Sequence, residues 1–344
     1  MTTIYTTHPR YVEHDLPGHP EHAGRIRAVW RRLDEFGLST RMNQVEAKPV
    51  SDEQILSVHT PDYLELLRRV NVMERTAMLD ANTYAGPGSL DIARLSAGGA
   101  VDAVDAVCNG AADNGLAAVR PPGHHAIADY GLGFCILGNL AIAARHAQQK
   151  YGIERVLILD YDVHHGNGTE AMFYDDPSIL FISTHQYPLY PGTGAVTDVG
   201  TGAGVGYTIN VPLPAYCGDT NYARIFDEIV WKAAERFQPQ LVLVSAGFDA
   251  HWTDPLAGMK LTLNGYAHLS SELIRMAEQY CGGKIVFVME GGYDLDGLSH
   301  GICNIARLLL GDSPTDPLGL PPNARAEPDI SHLLARIKVL HKLG

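Results

Sequence analysis

Residues 156–167 read Val156-Leu-Ile-Leu-Asp160-Tyr-Asp162-Val-His164-His165-Gly-Asn167. Four branched apolar residues with no polar alternation are how a strand buried on both faces reads. The run then turns abruptly polar. Asp160, Asp162 and His164 recur at every second position, so an extended chain directs all three to one face. A carboxylate and an imidazole two residues apart at a strand end suit zinc, with other divalent ions as alternatives. Alone, Asp-x-His is ordinary loop polarity. The rest of the chain decides.

Six further short apolar runs read as buried strands: Thr3–Tyr5, Leu116–Val119, Ile179–Ile182, Tyr207–Val211, Leu241–Val244 and Ile285–Val288. Segments of helical period separate them. Glu21–Phe36 sets Ile26, Val29, Trp30, Leu33 and Phe36 on one face and stops at Gly37. Ser51 with Gln54 makes a capping box, and Thr60-Pro61 starts a second helix. Others are expected over about 89–108, 138–150, 219–237, 264–281 and 296–310. Strands alternating with helices predict an α/β fold with a largely parallel sheet covered on both faces. The linkers are short and no hinge-like segment divides the chain, so residues 1–344 read as a single domain. Its tail, 312–344, opens Pro-rich and ends in a short helix.

In open parallel sheets, ligands bind beyond the carboxyl ends of the strands. Four apolar runs lead there into unusual polar residues. Leu116–Val119 leads to Arg120-Pro-Pro-Gly-His124-His125, and Val156–Leu159 to the segment quoted above. Leu241–Val244 leads to Ser-Ala-Gly-Phe-Asp249-Ala-His251, and Ile285–Val288 to Met-Glu290-Gly291-Gly292-Tyr293. Asp249 is the natural third metal ligand. Three protein ligands leave a coordination position for water, the catalytic arrangement. Asp160 is placed to orient an imidazole and raise its pKa. Arg120-Pro-Pro-Gly123 is stiff enough to fix where the two histidine rings point.

The bulk properties narrow the field. The chain has 344 residues, 46% hydrophobic and 19% charged, consistent with a globular protein with a sizeable core. No stretch approaches the roughly 18 apolar residues of a membrane span, and the N-terminus lacks the pattern of a signal peptide. Five scattered cysteines without Cys-x-x-Cys fit a reducing compartment, so a cytoplasmic location is expected. A formal charge of −13 argues against direct nucleic-acid binding and mildly favours cationic substrates.

Arg-Pro-Pro-Gly-His124-His125-Ala, Gly131-Leu-Gly-Phe134-Cys, Asp160-Tyr-Asp162-Val-His164-His165-Gly-Asn-Gly, Tyr190-Pro-Gly-Thr-Gly, Gly247-Phe-Asp249-Ala-His and Glu290-Gly-Gly-Tyr293 together resemble the zinc-dependent histone deacetylase and acetylpolyamine amidohydrolase superfamily. The motifs occur in the family's order over about residues 18 to 293. With Asn167 and Leu256 as they stand, the version here looks like the class II branch and its bacterial relatives. The resemblance implies an arginase-like fold, a single α/β domain around an eight-stranded parallel sheet. It implies one zinc on Asp162, His164 and Asp249, activating a water toward a pKa of about 7. His125 would be general base and then acid. His124, paired with Asp160, would be the charged imidazole, and Tyr293 would donate to the oxyanion. Phe134 and Tyr190 would wall a tunnel, the Gly133 carbonyl would accept the substrate amide, and Thr83 would contact substrate at the rim. Asn167, where other branches have aspartate, would leave His125 less basic. The resemblance also implies potassium at Asp160, Asp162, His164, Ser183 and Thr184, and a second potassium at carbonyls of Phe173, Asp176, Ile179 and Tyr207. It allows a homo-oligomer.

The implied substrate is an acylated lysine in a peptide or protein, with small acylated amines such as acetylpolyamines as the alternative. Polyamine-selective members place an acidic residue where Leu256 stands, which orders the two. An arginase-type binuclear enzyme would need an aspartate two residues after Asp249, where the chain has Ala250-His251. A non-catalytic acyl-lysine binder would not need the full set of ligands, histidines and Tyr293.

Overall fold

The computed structural model describes residues 1–322 and 326–344. Residues 323–325, part of the expected Pro-rich segment, lie outside the described residues. Among the described residues there are ten strands: β1 Thr3–Thr7, β2 Asn43–Glu46, β3 Ala77–Met78, β4 Tyr84–Ala85, β5 Asn114–Ala117, β6 Val156–Asp160, β7 Ile179–Gln186, β8 Thr208–Leu213, β9 Leu241–Ala246 and β10 Ile285–Met289. Eight form one sheet in the order β2-β1-β5-β10-β9-β6-β7-β8, and every pairing is parallel. β3 and β4 make a separate antiparallel hairpin.

The fully buried strands carry the apolar runs because helices cover both faces, leaving no side for polar residues. β6, β9 and β10 are buried at every position. β2 has no such signature. Its Asn-Gln-Val-Glu sequence is mostly exposed, because it lies at the sheet edge and needs only backbone pairing with β1. β5 spans 114–117 rather than 116–119: its pairing with β10 ends at Ala117 and Val288, and the chain then diverges through a cis Arg120–Pro121 peptide.

The helices fall close to expectation. Ser51 and Gln54 form the capping box, and the Thr60 hydroxyl accepts the N–H of Tyr63. The helix predicted from Glu21 starts at Gly24, since Glu21 is engaged in buried ion pairs described below. The segment 219–237 is helical throughout, with a π-helical stretch at Phe226–Val230. The tail helix Ser331–His341 buries Leu334 and Ile337 in the main core. All five cysteines are free thiols. Among the described residues, no helix is long and apolar enough to cross a membrane.

The order β5-β10-β9-β6 positions the site. The four strands that run into polar motifs are consecutive neighbours in mid-sheet, so their carboxyl ends form one continuous edge.

Candidate active site

Asp162 and His164 follow β6, and Asp249 follows β9, the neighbouring strand. Their ligand atoms all lie within 4.8 Å of one another. His164 Nδ1 is 3.2 Å from Asp162 Oδ1 and 3.1 Å from Asp249 Oδ2. Both carboxylates are fully buried and the His164 side chain is 10% exposed. The free carboxylate atoms are held by backbone donors. Gly291 N–H donates to Asp162 Oδ2 at 2.8 Å, and Val163 N–H to Asp249 Oδ1 at 2.8 Å. Such close approach requires glycine: a Cβ on Gly247 would sit 2.1 Å from Asp162 Oδ2, and one on Gly291 2.3 Å from Asp249 Oδ2.

The electrostatics show what this cluster attracts. Burial and the adjacent Asp162 charge push the Asp249 carboxyl up. Burial opposes the His164 cation, yet the two carboxylates outweigh it and raise the imidazole to about 10. Two buried carboxylates converging on one imidazole attract positive charge. A divalent cation fits that donor set, two oxygens and one nitrogen. The other group of potential ligands among the described residues, His124, Cys135 and Glu290, is engaged in backbone and side-chain hydrogen bonds.

The histidine pair lies against this cluster. His124 Nδ1 is 3.0 Å from Asp160 Oδ2, and its Nε2 is 3.9 Å from Asp162 Oδ2. Burial disfavours its charged form, but Asp162 and Asp160 prevail and hold its pKa well above the ordinary value. His125, with its ring centroid 4.0 Å from that of His124, goes the other way. Burial, then the charges of His124 and His164, push it well below the ordinary value. Its Nδ1 faces Asn167 Oδ1 at 2.7 Å. An amide oxygen only accepts, which assigns the Nδ1 proton and leaves Nε2 as the base. Two adjacent imidazoles thus have opposite proton affinities, the pattern of paired acid–base roles.

Phe134, at φ 70°, packs edge-on to Tyr293 at 5.7 Å, and Tyr190 edge-on to His125 at 5.2 Å. Gly133 lies directly over His125. Tyr293 and Leu256 border a cavity of about 400 Å³ that the 15–20 loop and His22 complete. Thr83 is a correction. It is fully buried, and its hydroxyl accepts the N–H of Phe134 at 2.9 Å, so it braces the Phe134 backbone and does not reach the surface.

Ser183 and Thr184 are buried on β7, with Ser183 in register with Asp160 and the Thr184 hydroxyl 3.4 Å from the Asp160 carbonyl. Phe173, Asp176, Ile179 and Tyr207 are gathered near the opposite, amino-terminal edge of β7 and β8. Three of their carbonyls also accept backbone N–H groups: Phe173 from Asp176, Asp176 from Ile179 and Tyr207 from Phe181.

Some supporting residues went unread in the sequence. Asp254 accepts from Tyr293 N–H at 2.7 Å, Asp294 N–H at 3.1 Å and Leu256 N–H at 2.9 Å. It supports the site's edge and is not part of the ligand cluster. Glu21 pairs with Arg120 at 2.6 Å and Arg25 at 3.1 Å, all three fully buried. Arg25 in turn donates to the Gly292 carbonyl and stacks over Tyr293. Spaced arginines and a glutamate are common in any sequence, and only their burial reveals the network.

Known proteins resemble the chain in sequence and fold. A model of the histone deacetylase domain matches residues 19–309. A probable deacetylase of Archaeoglobus fulgidus is 43% identical over 86% of this chain and 83% of its own. A histone deacetylase-like amidohydrolase of Pseudomonas aeruginosa is 43% identical over 80% of this chain and 73% of its own. The human polyamine deacetylase HDAC10 is 40% identical over 88% of this chain and 46% of its own. The crystal structure of the HDA15 HD domain superposes with a TM-score of 0.86 at 36% identity, covering 91% of each chain. With its eight-stranded parallel sheet and its candidate metal cluster, the chain belongs to the zinc-dependent histone deacetylase family of hydrolytic deacetylases.

Proposed function

We propose that this protein is a zinc-dependent deacylase that hydrolyses the amide of N-acetyl-lysine-like side chains in peptides or proteins, releasing free amine and carboxylate. One observation carries the reading: three metal-suited side chains from two strand ends converge beside a histidine pair of opposed proton affinities. Asp162, His164 and Asp249 would hold the zinc. When bound, it supplies Lewis-acid polarisation of the acyl oxygen and lowers the pKa of a water.

The chain's own residues do the rest. His125 Nε2 takes a proton from the attacking water and later returns one to the leaving amine. His124, kept charged by Asp160 and Asp162, stabilises negative charge developing beside it. The Tyr293 hydroxyl donates to the acyl oxygen as that charge grows. Phe134 and Tyr190 enclose the alkyl chain and exclude water, and the Gly133 carbonyl accepts the substrate amide N–H. Potassium at Asp160, Asp162, His164, Ser183 and Thr184, and at Phe173, Asp176, Ile179 and Tyr207, is part of the same proposal. So is a single domain over 1–344, which the continuous sheet and the tail's core contacts support. The five free thiols favour a cytoplasmic setting.

Small acylated amines are the second reading, favoured by the Asp15 carboxylate at the mouth and disfavoured by Leu256. Steady-state rates of the zinc-loaded protein on an acetyl-lysine peptide and on N-acetylputrescine separate the two. We expect higher kcat/KM on the peptide. A strong preference for the polyamine reverses the order, and no turnover on either overturns the proposal.

A further inference from the structure

β5 and β10 are hydrogen-bonded neighbours only as far as Ala117 and Val288. Beyond that point the 118–125 segment turns toward the metal cluster, and the backbone ladder stops. Glu290, one residue past β10, bridges the gap with its side chain. Its Oε2 accepts the N–H of Gly123 at 2.7 Å and of His124 at 3.3 Å. The carboxylate is fully buried. Its own backbone is fixed twice, its N–H donating to the Ala246 carbonyl on β9 and its carbonyl accepting from Arg25. The next N–H of the histidine pair, that of His125, points at Cys135 Sγ at 3.4 Å.

Burying a carboxylate is costly unless it is well bonded, yet this one has a single bonded oxygen and leaves Oε1 without a partner. Among the described residues no ion pair reaches it; burial pushes its carboxyl up to about 7, against the nearby charge of His124. What the buried side chain does hold is the backbone of the histidine segment, through the N–H groups of Gly123 and His124.

We propose that Glu290 is the positioning residue of the histidine pair: by holding two consecutive peptide N–H groups it sets the ring positions of His124 and His125 against the metal cluster. It touches no reacting atom and acts through the backbone of Gly123 and His124. The inference rests on the deacylase reading for its kinetic arm and on geometry alone for its structural arm. Displacing catalytic groups by about 1 Å costs on the order of 100-fold in rate, which sets the expected scale.

The test compares Glu290→Ala and Glu290→Gln in the zinc-loaded protein. We measure kcat and KM on an acetyl-lysine peptide, and amide hydrogen exchange at Gly123 and His124. Glu290→Ala should lower kcat about 100-fold with KM within roughly threefold, and should lose protection at those two amides while the sheet amides keep theirs. Glu290→Gln retains an acceptor oxygen and should recover most of both. A kcat within threefold of wild type for a folded Glu290→Ala, or unchanged exchange at both amides, overturns the proposal. If the alanine variant fails to fold, a folded glutamine variant that loses protection at Gly123 and His124 overturns it equally. Absence of wild-type turnover would refute the deacylase reading while the exchange arm still decides this one.

Discussion

The Nδ1 of His125 lies 2.7 Å from the amide oxygen of Asn167, a partner that accepts a hydrogen bond but carries no charge. Burial and two neighbouring imidazoles already hold His125 well below the ordinary histidine range. A base works only when unprotonated, so the acidic limb of the rate profile follows the His125 pKa. Asn167→Asp adds an opposite charge at hydrogen-bond distance, which favours the protonated ring. The limb of kcat/KM should therefore move to higher pH, by roughly one unit or more. An unmoved limb in a pH–rate series would refute this assignment of the base.

Tyr293 is half-buried, and desolvation, followed by the nearby carboxylates of Asp249, Asp162 and Glu21, keeps its hydroxyl protonated far past neutrality despite the opposing charge of Arg25. It can therefore donate throughout the working range. Tyr293→Phe should lower kcat by about 100- to 1000-fold and change KM little, as expected for a donor used mainly in the transition state. A variant within threefold of wild type on the acetyl-lysine peptide would remove Tyr293 from that role.

Asp249→Ala removes one of two carboxylates from a three-ligand cluster. Elemental analysis should show zinc falling from one per chain toward zero after dialysis. Turnover should fall by about 1000-fold, the scale of the several kcal/mol a catalytic metal supplies. Full zinc retention in this variant would mean that the metal sits elsewhere.

The Glu21–Arg25–Arg120 cluster predicts a stability effect separate from chemistry. Burial pushes the Glu21 carboxyl up, but the charges of Arg120 and Arg25 prevail and hold it below the ordinary range. A depressed carboxyl contributes stability above its unfolded pKa, and that contribution is lost as pH falls through the folded value. Glu21→Ala should cost about 3–5 kcal/mol at neutral pH by stranding two buried guanidiniums, and the gap to wild type should narrow in acid. Denaturant unfolding at pH 7 and pH 3 checks both, and an equal gap at the two pH values would count against the pairing.

Part of the chemistry that could be read from the sequence follows the local period of a strand, while Asp249 came from the convergence of strand ends and the roles of His124, His125 and Tyr293 from the motif resemblance. Asp160, Asp162 and His164 alternate along the extension of β6, so spacing alone put them on one face. The buried strands were legible because helices on both sheet faces exclude polar residues. Residues whose partners are backbone groups far along the chain were not. Asp254 reaches Tyr293 and Glu290 reaches Gly123 through peptide N–H groups, which no side-chain pattern records. Thr83 was misplaced because its hydroxyl serves the Phe134 backbone, a contact set by the β3–β4 hairpin. β2 escaped notice because a polar edge strand looks like a loop.

Strand β10 is the last strand of the sheet in the chain, yet it inserts between β5 and β9, at the centre. A nascent chain emerging from a ribosome can therefore make five of the seven pairings in this sheet without it, but cannot bring the two halves together. Until synthesis has passed Tyr293, the histidines that follow β5 and the ligands that follow β6 and β9 belong to two separate partial sheets. Truncation before that point should leave no residual hydrolysis to detect, and mixing an N-terminal fragment with a C-terminal one is where catalytic competence could be restored.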